Sequence, residues 1–105
     1  MHEHFLDLHN VTNGCVSKFP RDVTLQSADE EHSVRCCNEV GDTCTSPEPC
    51  QLASTYREAI LTCYDLGLRL CSRNEMVSNM CCGTGCQINQ KTTWLADDTS
   101  HEGKQ

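Results

Sequence analysis

Hydrophobic residues are spread unevenly along the chain, and one stretch carries a sustained helical period. Tyr56, Ala59, Ile60 and Cys63 recur at intervals of three and four, which places them on one face of a helix. Thr55 precedes this run and Glu58 lies three residues on. That is a capping box, in which the threonine hydroxyl accepts the Glu58 amide and the glutamate reaches back to the Thr55 amide. Gly67 follows Leu66 as a stop. The pattern predicts a helix over 56–66 with Cys63 on its buried side. Leu68-Arg69-Leu70-Cys71 then alternates as a short strand, Leu68 and Leu70 inward. Ser72 and Glu75 form a second capping box, opening a helix over 73–80 that presents Met76, Val77 and Met80. Those methionines read as core filling rather than as a binding surface.

The rest of the chain reads as short strands and turns. Val23-Thr24-Leu25, Ser33–Cys37 and Thr92–Leu95 have β character. Asp29-Glu30-Glu31 reads as a solvated acidic turn rather than a calcium ligand set, because the carboxylates are adjacent and not spaced. Thr45-Ser46-Pro47-Glu48-Pro49 is a stiffened loop that a local Cys44–Cys50 bridge would close. Gly83 and Gly85 stand among Cys81, Cys82 and Cys86, where they let the backbone turn between crowded bridges. A phosphate cradle at these glycines would need a helix to follow, and a strand follows instead. Residues 1–14 hold three of the five histidines and no cysteine. Phe5, Leu6 and Leu8 offer a way to dock this segment, but it reads equally as a loose arm. The organisation expected is an N-terminal arm over 1–14, one domain over 15–95 and a flexible polar tail over 96–105. His2, His4 and His9 share no helical face, so they belong to a solvated arm and not to a metal site.

Composition changes the picture most through cysteine. Ten of 105 residues are Cys, while Leu, Ile, Val and Phe together number nineteen and the net charge is −7. So few large aliphatic residues would leave the chain disordered without cross-links. An even cysteine count allows five bridges with none left over, though spacing alone does not choose among the pairings. Cys15, Cys36, Cys37, Cys44, Cys50, Cys63, Cys71, Cys81, Cys82 and Cys86 are therefore all expected to be disulfide-bonded. Zinc is disfavoured because no C-x2-C knuckle occurs, and the same absence counts against a thioredoxin-like site. No cofactor or metal is expected. Adjacent cysteines do not easily bridge each other, so Cys36/Cys37 and Cys81/Cys82 should each reach two separate partners. The class is a small α+β disulfide-rich domain, with two short helices on a few short strands.

Oxidised cysteines place the chain outside the reducing cytosol, secreted or on a cell surface. Asn10-Val11-Thr12 is an N-glycosylation sequon that suits that compartment. Met1-His2-Glu3-His4 shows neither a basic n-region nor an apolar h-region, so the chain reads as a mature domain without a leader. No apolar run is long enough to span a membrane, and eight basic against fifteen acidic residues disfavour a nucleic-acid partner. Catalysis is not expected. Bridged cysteines offer no thiol nucleophile, His32 is the one histidine near the expected core, and no G-x-S-x-G, H-E-x-x-H, P-loop or EF-hand pattern occurs.

Thr55-Tyr56-Arg57-Glu58-Ala59 through Cys63, Gly67, Leu70 and Glu75, with Trp94-Leu95-Ala96-Asp97 later, resembles the first half of the C-type-lectin-like superfamily, the Link module in particular. The calcium–sugar triplet of lectins is missing, since Cys50 follows Glu48-Pro49, and no sugar ligand is carried over. Val34-Arg35-Cys36-Cys37, Leu68-Arg69-Leu70-Cys71-Ser72, Cys81-Cys82-Gly83-Thr84-Gly85-Cys86 and Trp94 together resemble a cysteine-rich module of secreted or surface proteins of marine algae and invertebrates. That resemblance implies an extracellular module without implying an activity. The expected function is recognition of an extracellular protein or glycan by a rigid, non-catalytic face. A lectin-like glycan binder is the main alternative, with Trp94 and Tyr56 or Tyr64 exposed as stacking platforms. A buried Trp94 beside Cys82 and Cys86 is favoured over it. A structural matrix or assembly subunit and a toxin- or pheromone-like ligand also fit the size and cysteine density.

Overall fold

The computed structural model describes residues 7–20 and 23–96. In chain order these form β1 (Leu8–Asn13), β2 (Thr24–Ser27), β3 (Cys36–Cys37), β4 (Cys44–Thr45), α1 (Tyr56–Asp65), β5 (Arg69–Leu70), α2 (Arg73–Val77) and β6 (Thr92–Trp94). The strands make two antiparallel sheets, β2-β1-β6 and β4-β3-β5. The small α+β disulfide-rich architecture expected from the sequence is the one observed.

Segment 8–13 is not an arm. It is the central strand of the first sheet, with Val11 opposite both Thr24 and Trp94. Val11 is its one fully apolar buried residue; His9 and Thr12 are buried beside it. The ladder continues past the strands, as Leu95 donates its amide to Asn10 O and Ser33 pairs in parallel with Thr93. The tail expectation over 97–105 and the roles given to His2, His4, Phe5 and Leu6 lie outside the described residues.

Both capping boxes form. Thr55 Oγ1 accepts the Glu58 amide at 3.3 Å and Glu58 Oε1 accepts the Thr55 amide at 2.9 Å; Ser72 and Glu75 repeat the exchange at 3.2 and 2.8 Å. At the end of α1, Leu68 and Gly67 donate their amides to Cys63 O and Tyr64 O, with Gly67 at φ 74°. This Schellman closure needs the left-handed conformation that glycine adopts without a Cβ penalty. The second helix is shorter than expected. It stops at Val77 because Asn79 turns to φ 74° and the chain leaves in a series of tight turns; Asn is among the residues that tolerate that region.

Five disulfides close the domain: Cys15–Cys82, Cys36–Cys63, Cys37–Cys71, Cys44–Cys81 and Cys50–Cys86. The adjacent cysteines of both pairs do reach separate partners, and for Cys36 and Cys37 in β3 the cause is strand pleat. Successive side chains point to opposite faces, so Cys36 enters a core with Val11, Val34, Ala59, Cys63, Leu70 and Trp94, whereas Cys37 enters a second core with Cys71, Met76, Cys81 and Leu95. The local Cys44–Cys50 bridge is not made. Cys44 follows the β3–β4 pairing toward the second core, and Cys50 lies on the surface beside Cys86.

Between these staples lies a charged core residue. Arg35 is 1 % exposed and meets no carboxylate among its hydrogen-bond partners. It donates Nη1 to Gly14 O, Nε to Ser46 Oγ at 3.2 Å, and Nη2 to Gly85 O and Asn89 Oδ1 at 3.4 and 3.3 Å. Burial pushes its pKa down to about 10, which still leaves it charged at neutral pH. Gly14 is small for a reason, since a Cβ there would run into the Ile88 carbonyl.

Candidate functional site

The helix α1 shows two faces. Tyr56, Ala59 and Cys63 are buried, and the Cys36–Cys63 bridge fixes the helix to β3. Beside the buried stripe, Ile60, Leu61 and Tyr64 stand at 41, 50 and 74 % exposure, with Leu66 beyond them also exposed. Positions 56, 60 and 64 repeat at one-turn spacing, so an apolar stripe climbs from the buried Tyr56 to the exposed Tyr64. A groove of about 570 Å³ runs along one flank, lined by Asp7, His9, Ala28, Asp29, Arg57 and Leu61 among others. A second, of about 320 Å³, runs along the other flank between Tyr64, Leu68, Arg69, Leu70 and Ala96. Tyr56 and Ile60 line both. Ile60 is thus a ridge between two grooves.

The wall of the second groove is braced. Arg69 donates Nη1 and Nη2 to Glu75 Oε1 and Oε2 at 2.9 and 2.7 Å, and Glu75 Oε1 also accepts the Ser72 amide. Burial on its own would raise the Glu75 pKa, but the Arg69 and Ser72 hydrogen bonds and the Arg69 charge outweigh it and hold the carboxyl below its ordinary value. A depressed carboxylate contributes stability that is complete above its unfolded pKa and disappears as pH falls through the folded one. Glu75→Gln is therefore expected to cost about 1–2 kcal/mol at neutral pH and nearly nothing in strong acid. Urea midpoints of both proteins between pH 7 and pH 2 measure this, and midpoints that stay equally far apart at pH 2 would exclude the ionic contribution.

Aromatic side chains gather behind α1. The His9 ring stacks on Tyr56 with centroids 3.5 Å apart and planes 8° from parallel, and His9 Nε2 lies 2.8 Å from Asp7 Oδ1. Trp94 is fully buried, edge-on to Tyr56 and His32, and donates its indole N–H to Ser54 O at 2.8 Å. His9 is therefore not part of a solvated arm, and His32 is not the sole histidine at the core. Trp94 is buried as favoured, but in the core of the Cys36–Cys63 bridge rather than beside Cys82 and Cys86. With Trp94 and Tyr56 both inside, Tyr64 alone of the three candidate stacking platforms faces solvent.

Glu30, His32 and Thr92 form a hydrogen-bonded row through the two ring nitrogens of His32. The order of carboxylate, imidazole and hydroxyl matches that used in acyl transfer, but neither groove beside α1 contains these residues. The row pins the 30–33 segment to β6. A fourth feature lies away from α1: a groove of about 550 Å³ lined by Lys18, Phe19, Gln87, Asn89, Gln90 and Lys91. Asn10 of the sequon sits half-buried in the central strand, with Thr12 buried.

The chain was compared with models of protein families, with curated proteins and with solved structures. It matches none. The sequence pattern set Ile60 on the same face as Tyr56, Ala59 and Cys63, but Ile60 is an exposed edge of that face, because Ala59 and Cys63 and not Ile60 point at the core. Leu61, Tyr64 and Leu66 were passed over, although with Ile60 they are more apolar residues than one buried helix face can take. Among the described residues no helix is long and apolar enough to cross a membrane.

Proposed function

We propose that this protein is a non-catalytic extracellular recognition module that docks a protein partner on the outer face of α1. One observation carries the reading: an apolar ridge of Ile60, Leu61 and Tyr64, flanked by two grooves, stands on a helix cross-linked to the core. Contiguous apolar surface on a soluble domain marks interaction sites. A pre-fixed helix lowers the ordering cost of association, so its buried area converts more fully into affinity. The net charge of −7 favours a partner that is basic around an apolar centre. Five bridges require an oxidising compartment, and the Asn10 sequon belongs to the same reading.

Binding of the oxidised protein to an array of secreted and cell-surface ectodomains tests this. Ile60→Glu and Tyr64→Glu should each weaken a saturable interaction at least tenfold, about 1.4 kcal/mol, while Lys18→Glu with Lys91→Glu leaves it unchanged. Binding that ignores both α1 variants removes α1 as the docking face. A glycan partner is a second reading, favoured by the two lysines and three amides around one groove. It predicts binding to sulfated or carboxylated glycans that the lysine variants abolish and the α1 variants spare. Self-association on concentration, reversed by Tyr64→Glu, would instead identify an assembly subunit.

A further inference from the structure

The sequon Asn10-Val11-Thr12 occupies the middle of β1, a strand paired on both sides. Successive side chains alternate between the two faces of a strand. His9 and Val11 face the core beneath α1, so Leu8, Asn10 and Thr12 face the other way. That second face is covered at one end and open at the other. Thr12 is buried opposite Thr93, whereas Leu8 is exposed, as is Leu25 directly across from Asn10. Asn10 stands between these two leucines, half-buried, and among the described residues its side-chain amide makes no hydrogen bond. Polar side chains that leave water usually find a partner.

We infer that Asn10 carries an N-linked glycan, attached before the sheet closes and lying over Leu8 and Leu25 on the face turned away from α1; the modification rests on the extracellular compartment of the reading above. A sequon is ordinarily found in a surface loop, within reach of its transferase. Here the folded chain withholds it. The Thr12 hydroxyl, the other half of the recognition signal, is buried, and Asn10 O is held by the Leu95 amide. The topology supplies the missing access. Strand β1 completes its sheet only with β6, where Val11 meets Trp94 and Asn13 meets Thr92. The neighbouring Cys15 is cross-linked to Cys82, 67 residues further on. During synthesis the N-terminal segment emerges first, so the sequon stays open until nearly the whole domain has followed it. The β1–β2 pairing that can form earlier is a two-stranded ribbon, marginal by itself in water.

The donor is an oligosaccharide linked to a lipid diphosphate. Asn10 Nδ2 forms a bond to C1 of the first sugar as the C1–O bond to the diphosphate breaks. The lipid diphosphate leaves with that electron pair, and the amide gives up one proton. Once attached, the first sugars cover the open end of the second face. Helix α1 packs on the first face against Val11, so its exposed ridge stays uncovered.

Intact mass of the full chain, secreted from a eukaryotic host, tests the site. The chain should carry one N-glycan, removed by an N-glycan amidase that leaves aspartate at position 10. Asn10→Gln should lose the glycan and Thr12→Ser should keep it. A secreted chain with bare Asn10 overturns the modification. The order of events is read with a purified oligosaccharyltransferase and its lipid-linked donor. The reduced and alkylated full chain should be modified at least about tenfold faster than the oxidised one, because only the open fraction is competent. Equal rates would overturn closure of the sequon by folding. Nuclear Overhauser contacts should join the first sugar to the methyls of Leu8 and Leu25, and their absence would overturn the placement. A glycan on Asn10 without a partner for α1 leaves this modification standing and removes only the docking reading, and bare Asn10 with an α1 partner does the reverse.

Discussion

Replacing Arg35 with methionine should cost about 3–5 kcal/mol of folding stability, a large share of what a domain of this size possesses. The guanidinium is buried, and its N–H groups meet Gly14 O, Ser46 Oγ, Gly85 O and Asn89 Oδ1. Those acceptors lie on three separate segments: the end of β1, the loop after β4, and the turns between α2 and β6. Two effects compete. Arg35 pays to leave water, as its lowered pKa reflects, and methionine would be spared that cost. Against this, methionine gives up four bonds from a charged donor, each worth about 1.5–3 kcal/mol, although Asn89 Oδ1 keeps the Gly83 amide and Ser46 Oγ keeps Thr84 Oγ1. The lost bonds win because Gly14 and Ser46 are buried and have little water to turn to. Arg35→Lys keeps the charge but replaces a planar fork with a point donor, so it should fall between, at about 2 kcal/mol. Guanidinium unfolding of the oxidised proteins, with five bridges verified by mass, gives both numbers. A loss below about 1 kcal/mol for Arg35→Met would mean that desolvation cancels the bonds and that the disulfides alone hold these loops.

Arg35 also shows where the sequence stops being legible. Set between Val34 and Cys36 in a β-type run, it carries no local sign that its partners lie eleven to fifty-four positions away. The features that could be read were those whose cause is local. Both helix starts follow from Thr55/Glu58 and Ser72/Glu75, because a capping box is closed within four residues. The divergence of Cys36 from Cys37 follows from strand pleat. Strand β1 was missed because its buried face is made of His9 and Val11, and His9 becomes a core residue only when Tyr56 stacks on it. The same holds for the Cys44 and Cys50 pairings. Their closeness in sequence suggests a local loop, but the register of β3 on β4 sends Cys44 inward. On the candidate site, the helix and its buried stripe were legible, whereas the exposed ridge required knowing which neighbours leave Ile60 and Tyr64 uncovered.

Removing Cys36–Cys63 by a double alanine substitution should be among the most costly bridge deletions, and comparison with Cys50–Cys86 separates two reasons. The bridges span 27 and 36 residues, so loop-closure entropy predicts nearly equal losses of about 3.5 and 3.8 kcal/mol. Burial breaks the tie. Cys36 and Cys63 are fully buried against Val11, Ala59 and Trp94, whereas Cys50 is exposed and Cys86 half-exposed. Deleting two core sulfurs adds a cavity cost of about 2 kcal/mol, and the surface pair has no such addition. Cys36→Ala/Cys63→Ala is therefore expected to lie about 2 kcal/mol below Cys50→Ala/Cys86→Ala in denaturant unfolding. The functional consequence should divide the same way. Without its bridge α1 rests on Tyr56, Ala59 and the Schellman closure, and its amides should exchange with solvent faster than those of β1. Partner binding on the Ile60–Tyr64 ridge should weaken as the helix loses its fixed orientation, while loss of Cys50–Cys86 should spare it. Equal stabilities for the two double variants would show that chain entropy sets the worth of these bridges. Equal binding would show that packing alone orients α1.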